Sequence, residues 1–231
     1  MSTLYMVATP IGNLEDITLR ALNTLREVDV IACEDTRHTA RLLNKYEIKK
    51  RTIACHAHNE LNSAQGIIKL LEEDNSIAYV SDAGTPGVSD PGNRLVRAVR
   101  DAGFSVIPIP GVSALTTICS VAGFMGKSVL FEGFLSPKSG KRKTRLGELL
   151  ERNEAFVIYE SPFRIVKALL ALQELAPERN ILVGREMTKN FEEFVEGTTS
   201  EVYENFSSRV SIKGEFAVLI SPEEKKRRSD D

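Results

Sequence analysis

Short apolar runs alternate along the first half of the chain with longer stretches in which apolar positions recur every three or four residues. LYMVA (4–8), VDVIAC (28–33), RTIAC (51–55), SIAYVS (76–81) and SVIPI (105–109) predict strands. ITLRALNTLREV (17–28) puts Ile17, Ala21, Leu22, Leu25 and Val28 on one helical face. DTRHTARLLNKYE (35–47) opens with a capping Asp-Thr, and NSAQGIIKLLEED (62–74) and NRLVRAVRDAG (93–103) complete the set of helices. PGVSALTTICSVAG (110–123) follows the fifth strand. Strand and helix repeated in this way predict an α/β fold with an open, mostly parallel sheet and helices on both faces. Ligands of such sheets lie beyond the carboxyl ends of the strands, at the switch point. The loops 9–16, 33–39, 81–92 and 110–114 are expected there.

GFMGKS (123–128) reads as a linker, which divides the chain into domains 1–123 and 124–222 and a charged tail, 223–231, expected to be disordered. SVLFEGFL (128–135) predicts a strand, 143–152 a helix, AFVIYE (155–160) a strand and FRIVKALLALQELA (163–176) a helix. NILVGRE (180–186) and FEEFVEGTTSEVYENF (191–206) come before a last strand, EFAVLI (215–220). A second, mixed α/β domain is expected.

Composition changes this picture little. The chain is 42% hydrophobic and 27% charged, which suits a globular protein with a core. Its formal net charge of −2 means that a nucleic-acid partner must rest on local patches. Cys33, Cys55 and Cys119 are far apart and form no CxxC, so a reducing, cytosolic setting is expected, with no disulfide framework. No signal peptide or membrane span is expected. His56 and His58 beside Cys55 are too few for a metal site, and no metal is expected.

Candidate chemistry gathers in the loops. SDAGTPGVSDPG (81–92) has glycines that permit positive φ and prolines that stiffen it. Asp82 can accept hydrogen bonds from an amine or ribose hydroxyls, and Asp90 can cap the next helix with Pro91 at its first position. The loop matches neither GxGxxG nor a P-loop, and it reads either as a tight turn or as a ligand cradle. ATPIGN after the first strand and IPGVSAL after the fifth are similar loops on the same edge. CEDTRHT (33–39) brings Glu34, Asp35, Thr36, Arg37 and His38 there, for ligand contact or for helix capping. KSGKRKTR (138–145) holds five basic residues in eight and reads as a cationic loop suited to a phosphate backbone, or as a solvated face. Few aromatics interleave with it in sequence, so base stacking is not expected of it. YESPFRI (159–165) and GREMTKNFEE (184–193) add Arg164, Arg185, Glu186 and Lys189.

VATPIGNLEDITLRAL, EDTRHT, SDAGTPGVSDPG, PIPGVSAL, YESPFRI, REMTKNFEE and KGEF, in this order, resemble the ribosomal small-subunit RNA methyltransferase branch of the tetrapyrrole methylase superfamily. The resemblance runs from residue 4 to about 221. It implies two α/β domains, S-adenosylmethionine (SAM) in the cleft between them, and a homodimer. It implies 2′-O-methylation of a cytidine in the decoding centre of 16S ribosomal RNA, so that the partner is the small ribosomal subunit. By position, Pro10, Ser81, Asp82, Ala83, Gly84, Val88, Ser113 and Ala114 match cofactor-contacting segments, as does Tyr159. A 2′-hydroxyl is a poor acid, and Asp35 and Glu186 are the candidate bases. Arg37, Arg164, Lys189 and the run Lys138, Lys141, Arg142, Lys143, Arg145 are expected to hold phosphates. The superfamily usually has a glycine-richer first loop than TPIGN, and this departure, with the EDTRHT motif and the basic loop, favours RNA over a porphyrin-like substrate. A methylase of a small tetrapyrrole, a non-enzymatic nucleotide-binding module and a structural RNA-binding protein are the competing readings.

Overall fold

The first half folds into five strands, of which VIAC (30–33) and IAYV (77–80) are apolar and buried throughout because both of their faces are covered. In the computed structural model, which describes residues 2–56 and 60–223, they form one parallel sheet. His58 and the KKRR tail (225–228) lie outside the described residues. The strands are β1 (Thr3–Val7), β2 (Val30–Cys33), β3 (Arg51–Ala54), β4 (Ile77–Val80) and β5 (Ser105–Ile109). Their order is β3-β2-β4-β1-β5. Helices α1 (Leu19–Glu27), α2 (Thr36–Lys45), α3 (Glu60–Glu72) and α4 (Asn93–Asp101) connect them.

Right-handed crossovers decide which helix covers which face. The chain runs outward from β1 through β2 to β3, so α1 and α2 share one face. Their Leu22, Leu25, Leu42 and Leu43 pack with Ile31, Cys33, Ala78 and Val80. It returns through β4 to β5, so α3 and α4 share the other. Their Ile67, Leu71, Leu95 and Val99 pack with Val30, Ala32, Ile77 and Tyr79. Alternate residues of β2 and β4 therefore enter opposite cores, as the strand period of two requires.

The chain divides into two units, Met1–Ser113 and Ala114–Asp231. Helix α5 (Ala114–Ala122) belongs to the second and packs against its strands β8 (Asn180–Arg185) and β10 (Phe216–Ile220). That unit also holds β6 (Val129–Phe134), α6 (Ser139–Glu151), β7 (Ala155–Glu160), α7 (Ile165–Leu175), β9 (Glu193–Thr198) and α8 (Thr199–Ser207). The sheet order is β6-β7-β10-β8-β9, with β6 and β7 parallel and the other pairs antiparallel. Leu146, Leu149, Leu169, Leu172, Val202 and Phe206 of α6–α8 pack on Phe156, Ile158, Ile181, Val183, Phe216, Val218 and Ile220.

Two local expectations change. KSGKRKTR is not a loop: α6 begins at Ser139 and the run forms its first turns. Helix α4 begins at Asn93, with Gly92 and not Asp90 at its N-cap. Gly92 has φ 134°, and a Cβ there would lie 3.0 Å from Met6 Cε and 3.3 Å from Tyr79 Cε1. No helix among the described residues is long and apolar enough to cross a membrane.

Candidate functional site

β1 and β4 are neighbours that pass the chain on in opposite directions, which makes the region beyond their carboxyl ends a switch point of the sheet. The two loops that start there are tied together. Thr9 and Gly84 exchange both backbone hydrogen bonds, each 2.9 Å. The Thr9 hydroxyl donates to the Ser81 carbonyl (3.4 Å), and the buried Ser81 hydroxyl donates to the Ala83 carbonyl (3.2 Å). Gly84, at φ +73°, would point a Cβ to within 3.5 Å of Ile11 Cγ2 and 3.8 Å of the Val112 carbonyl. The third loop joins through the Thr85 hydroxyl, which donates to Val112 O at 3.1 Å. Gly111 lies so close to β1 that a Cβ would meet Ala8 Cβ at 3.0 Å. Residues 85–93 close on themselves: Val88 N donates to Thr85 O, Gly87 N to Pro91 O, and Asn93 Nδ2 to Gly87 O.

The three Gly/Pro loops thus meet in one place. Pro10, Ser81, Asp82, Ala83, Gly84, Val88 and Ser113 all belong to these loops of the first unit. Ala114 opens α5 of the second unit, and Tyr159 lies there too. The short side chains suit a ligand held against backbone. Asp82 Oδ1 accepts from Asp35 N at 3.1 Å. A carboxylate has further lone pairs, so Asp82 keeps acceptor capacity for a ligand hydroxyl or amine.

The carboxyl groups at this edge differ sharply. Asp35 caps α2, accepting from Arg37 N (2.8 Å), Arg37 Nε (3.2 Å) and Arg37 Nη2 (2.9 Å). The Arg37 side chain and backbone hold this carboxyl far below the usual range, which makes it a poor proton acceptor. Arg37 is correspondingly occupied by Asp35. Glu34 behaves oppositely: burial and then the nearby Asp82 push its carboxyl up, against the Asp82 backbone and His56. The sequence offered CED as adjacent acids, with no signal for which one is desolvated.

Glu186 belongs to a clamp in the second unit. Its Oε1 accepts from Lys189 Nζ and from Glu215 N, both at 2.9 Å, and Lys189 Nζ also donates to Glu215 Oε2 at 2.7 Å. Burial pushes the Glu186 carboxyl up, but Lys189 and the Glu215 N–H outweigh it, and the net direction is down. Gly214, at φ +101°, has no room for a Cβ beside Glu186. REMTK and KGEF are therefore two halves of one joint, and the Lys189 ammonium is engaged within it.

The basic run also divides. Arg142 is only 5% exposed, on the α6 face it shares with Leu146 and Leu149, and its Nη1 donates to Pro137 O at 3.3 Å. This corrects its assignment to RNA: helical spacing turns it inward. Lys143 pairs with Glu174 (3.0 Å), and Arg145 forks over Glu132 (2.7 and 2.8 Å) and reaches Glu148 (2.8 Å). Lys138 and Lys141 are exposed and make no ion pair among the described residues. At the end of β7, Tyr159 meets Phe131 and Phe134 edge-on, and Arg164 Nε pairs with the buried Glu160 at 3.0 Å. Among the described residues no three His, Cys, Asp or Glu are grouped to hold a metal ion.

Residues 3–203 match the family of tetrapyrrole (corrin/porphyrin) methylases. The chain is 49% identical to the ribosomal RNA small subunit methyltransferase I of Borrelia garinii subsp. bavariensis, over 94% of this chain and 98% of that protein. It is 45% identical to the protein of the same name from Thermotoga maritima, over 97% of this chain and 100% of that one. Among solved structures, a cobalt precorrin-4 methyltransferase superposes with a TM-score of 0.72 at 14% identity, over 95% of each chain. A uroporphyrin-III-C-methyltransferase from Thermus thermophilus gives 0.67 at 17% identity, over 96% of this chain and 94% of that one. At such identities the two structures establish the fold alone.

Proposed function

The chain belongs to the tetrapyrrole methylase family and, within it, to the ribosomal RNA small subunit methyltransferases, and from that premise we propose that it moves a methyl group from SAM to the ribose 2′-oxygen of a cytidine in the 16S decoding centre. The observation that carries this reading is the near full-length likeness to those methyltransferases. The tied loops give it a physical basis. Pro10, Ser81, Asp82, Ala83, Gly84, Val88 and Ser113 would hold the donor in the first unit. Bound SAM supplies a methyl carbon made electrophilic by its sulfonium. The protein's part is position and proton handling. A rigid loop held by the Thr9–Gly84 bridge would lose little entropy on binding the donor and would hold it in one orientation. Glu34 is the better base for the 2′-hydroxyl, because Asp35 and Glu186 are both committed to cationic partners. Arg164, Lys138 and Lys141 would face RNA phosphates. We further propose a homodimer, as the resemblance implies.

The test is methyl transfer from radiolabelled SAM to small subunits lacking the mark and to the matching deproteinised RNA, with the labelled nucleoside identified after digestion. Label as 2′-O-methylcytidine in the subunit is the expected result. Binding of SAM with no label in either acceptor would overturn the reading and direct the same assay to a precorrin-type substrate.

A further inference from the structure

The sequence separates its aromatics from its basic run, but the fold brings them to one edge. Phe134 ends β6, and its register partner Tyr159 lies near the end of β7. Their rings meet edge-on at 5.9 Å, and Arg164 Cζ lies 5.8 Å from the Phe134 centroid. Arg164 is anchored from below by Glu160, whose side chain is fully buried. Phe134 is nevertheless 55% exposed, and Phe163, next to Arg164 in the chain, is 87% exposed. α6 starts five residues after Phe134, so Lys138 and Lys141 flank the same edge, and α7 adds the exposed Lys167 in its first turn.

We propose that this edge of the second unit is a stacking platform for unpaired bases of the RNA substrate, with Phe134 and Phe163 as the rings and Lys138, Lys141 and Lys167 as phosphate contacts. It rests on the functional reading above and adds to it the form of RNA that is recognised. Exposed rings suit any apolar partner, but the charge selects among partners. None of the three lysines makes an ion pair among the described residues, and Glu160 is buried beneath Arg164. Cations beside exposed rings match a polyanion whose bases have splayed apart. An A-form duplex hides its base faces and would use the lysines alone.

The test is binding of an end-labelled unpaired RNA oligonucleotide to the full chain, compared with the same strand annealed to its complement. Phe163→Ala and Phe134→Ala are each expected to weaken the unpaired strand about fivefold or more and to leave the duplex unchanged. Phe163→Tyr keeps the affinity, since a ring remains. Lys138→Gln combined with Lys141→Gln lowers the slope of log affinity against log salt by about 1.4. Equal affinity of Phe163→Ala and wild type overturns the platform, as does an equal loss for the duplex. A change in sedimentation of the RNA-free protein on Phe163→Ala also overturns it, by giving the ring to a second copy. If the wild type methylates subunits and Phe163→Ala binds unchanged, the platform alone fails. A wild type that binds through its rings yet methylates no subunit keeps the platform and overturns the functional reading.

Discussion

Glu34 and Asp35 are consecutive acids with opposite fates. Asp35 is exposed to the guanidinium and backbone of Arg37 and stays ionised. Glu34 is half-buried beside Asp82, and burial first and then Asp82 raise its carboxyl above the ordinary value. The sign for stability follows. With a folded-state pKa above the unfolded one, this group's contribution is complete at low pH. It is lost as pH rises from the ordinary carboxylate value, about 4.3, through the folded one. Turnover should rise over that same interval, because only the ionised form accepts a proton. Glu34→Gln is expected to remove this acid limb from the pH–rate profile and to cut turnover about 100-fold or more, with SAM affinity kept. Asp35→Asn should retain most turnover. A limb that survives in Glu34→Gln would take the base role from this residue. At this scale the motif CEDTRHT was legible as a cluster of polar groups at the end of a strand. The role of Glu34 was not, because it depends on burial and on Asp82, far along the chain.

Elements were legible where their own periodicity carried them. The central strands β2 and β4 appear as unbroken apolar runs because helices cover both faces, and both are buried at all four positions. α6 was misplaced for the converse reason. Its first two turns are Ser, Gly and clustered cations, which carry no apolar stripe, and the inward position is an arginine. The start of α8 is spelled locally, as TTSE. Thr198 accepts from Glu201 N (3.2 Å), and Glu201 Oε2 accepts from Thr198 N (2.8 Å), a reciprocal cap. Thr198→Ala should cost about 1 kcal/mol. In urea the midpoint should fall with the slope unchanged, whereas a changed slope would mean that more than the helix end was lost.

At the scale of the whole molecule, each unit has cores of its own, and the candidate donor cradle is built largely in the first. A ligand that binds only the folded cradle stabilises it by mass action, by about 2.7 kcal/mol at a concentration of about 100 Kd. SAM should therefore raise the melting temperature. Gly84→Ala forces a side chain into the left-handed region at a cost of about 1–2 kcal/mol and should shrink the SAM-induced shift as well. An undiminished shift would place the donor elsewhere. The sequence by itself determined the alternating βα order and the Gly/Pro loops that follow the strands at one end of the sheet. These are local properties, set by side-chain periodicity and by backbone freedom at single residues. Only the tertiary structure decided that Thr9 bridges Gly84, that Glu34 and not Asp35 is desolvated, that Arg142 turns inward, and that Phe134 and Phe163 join the lysines at one edge. Burial and pairing depend on residues distant in the chain, and no local pattern encodes which of them will meet.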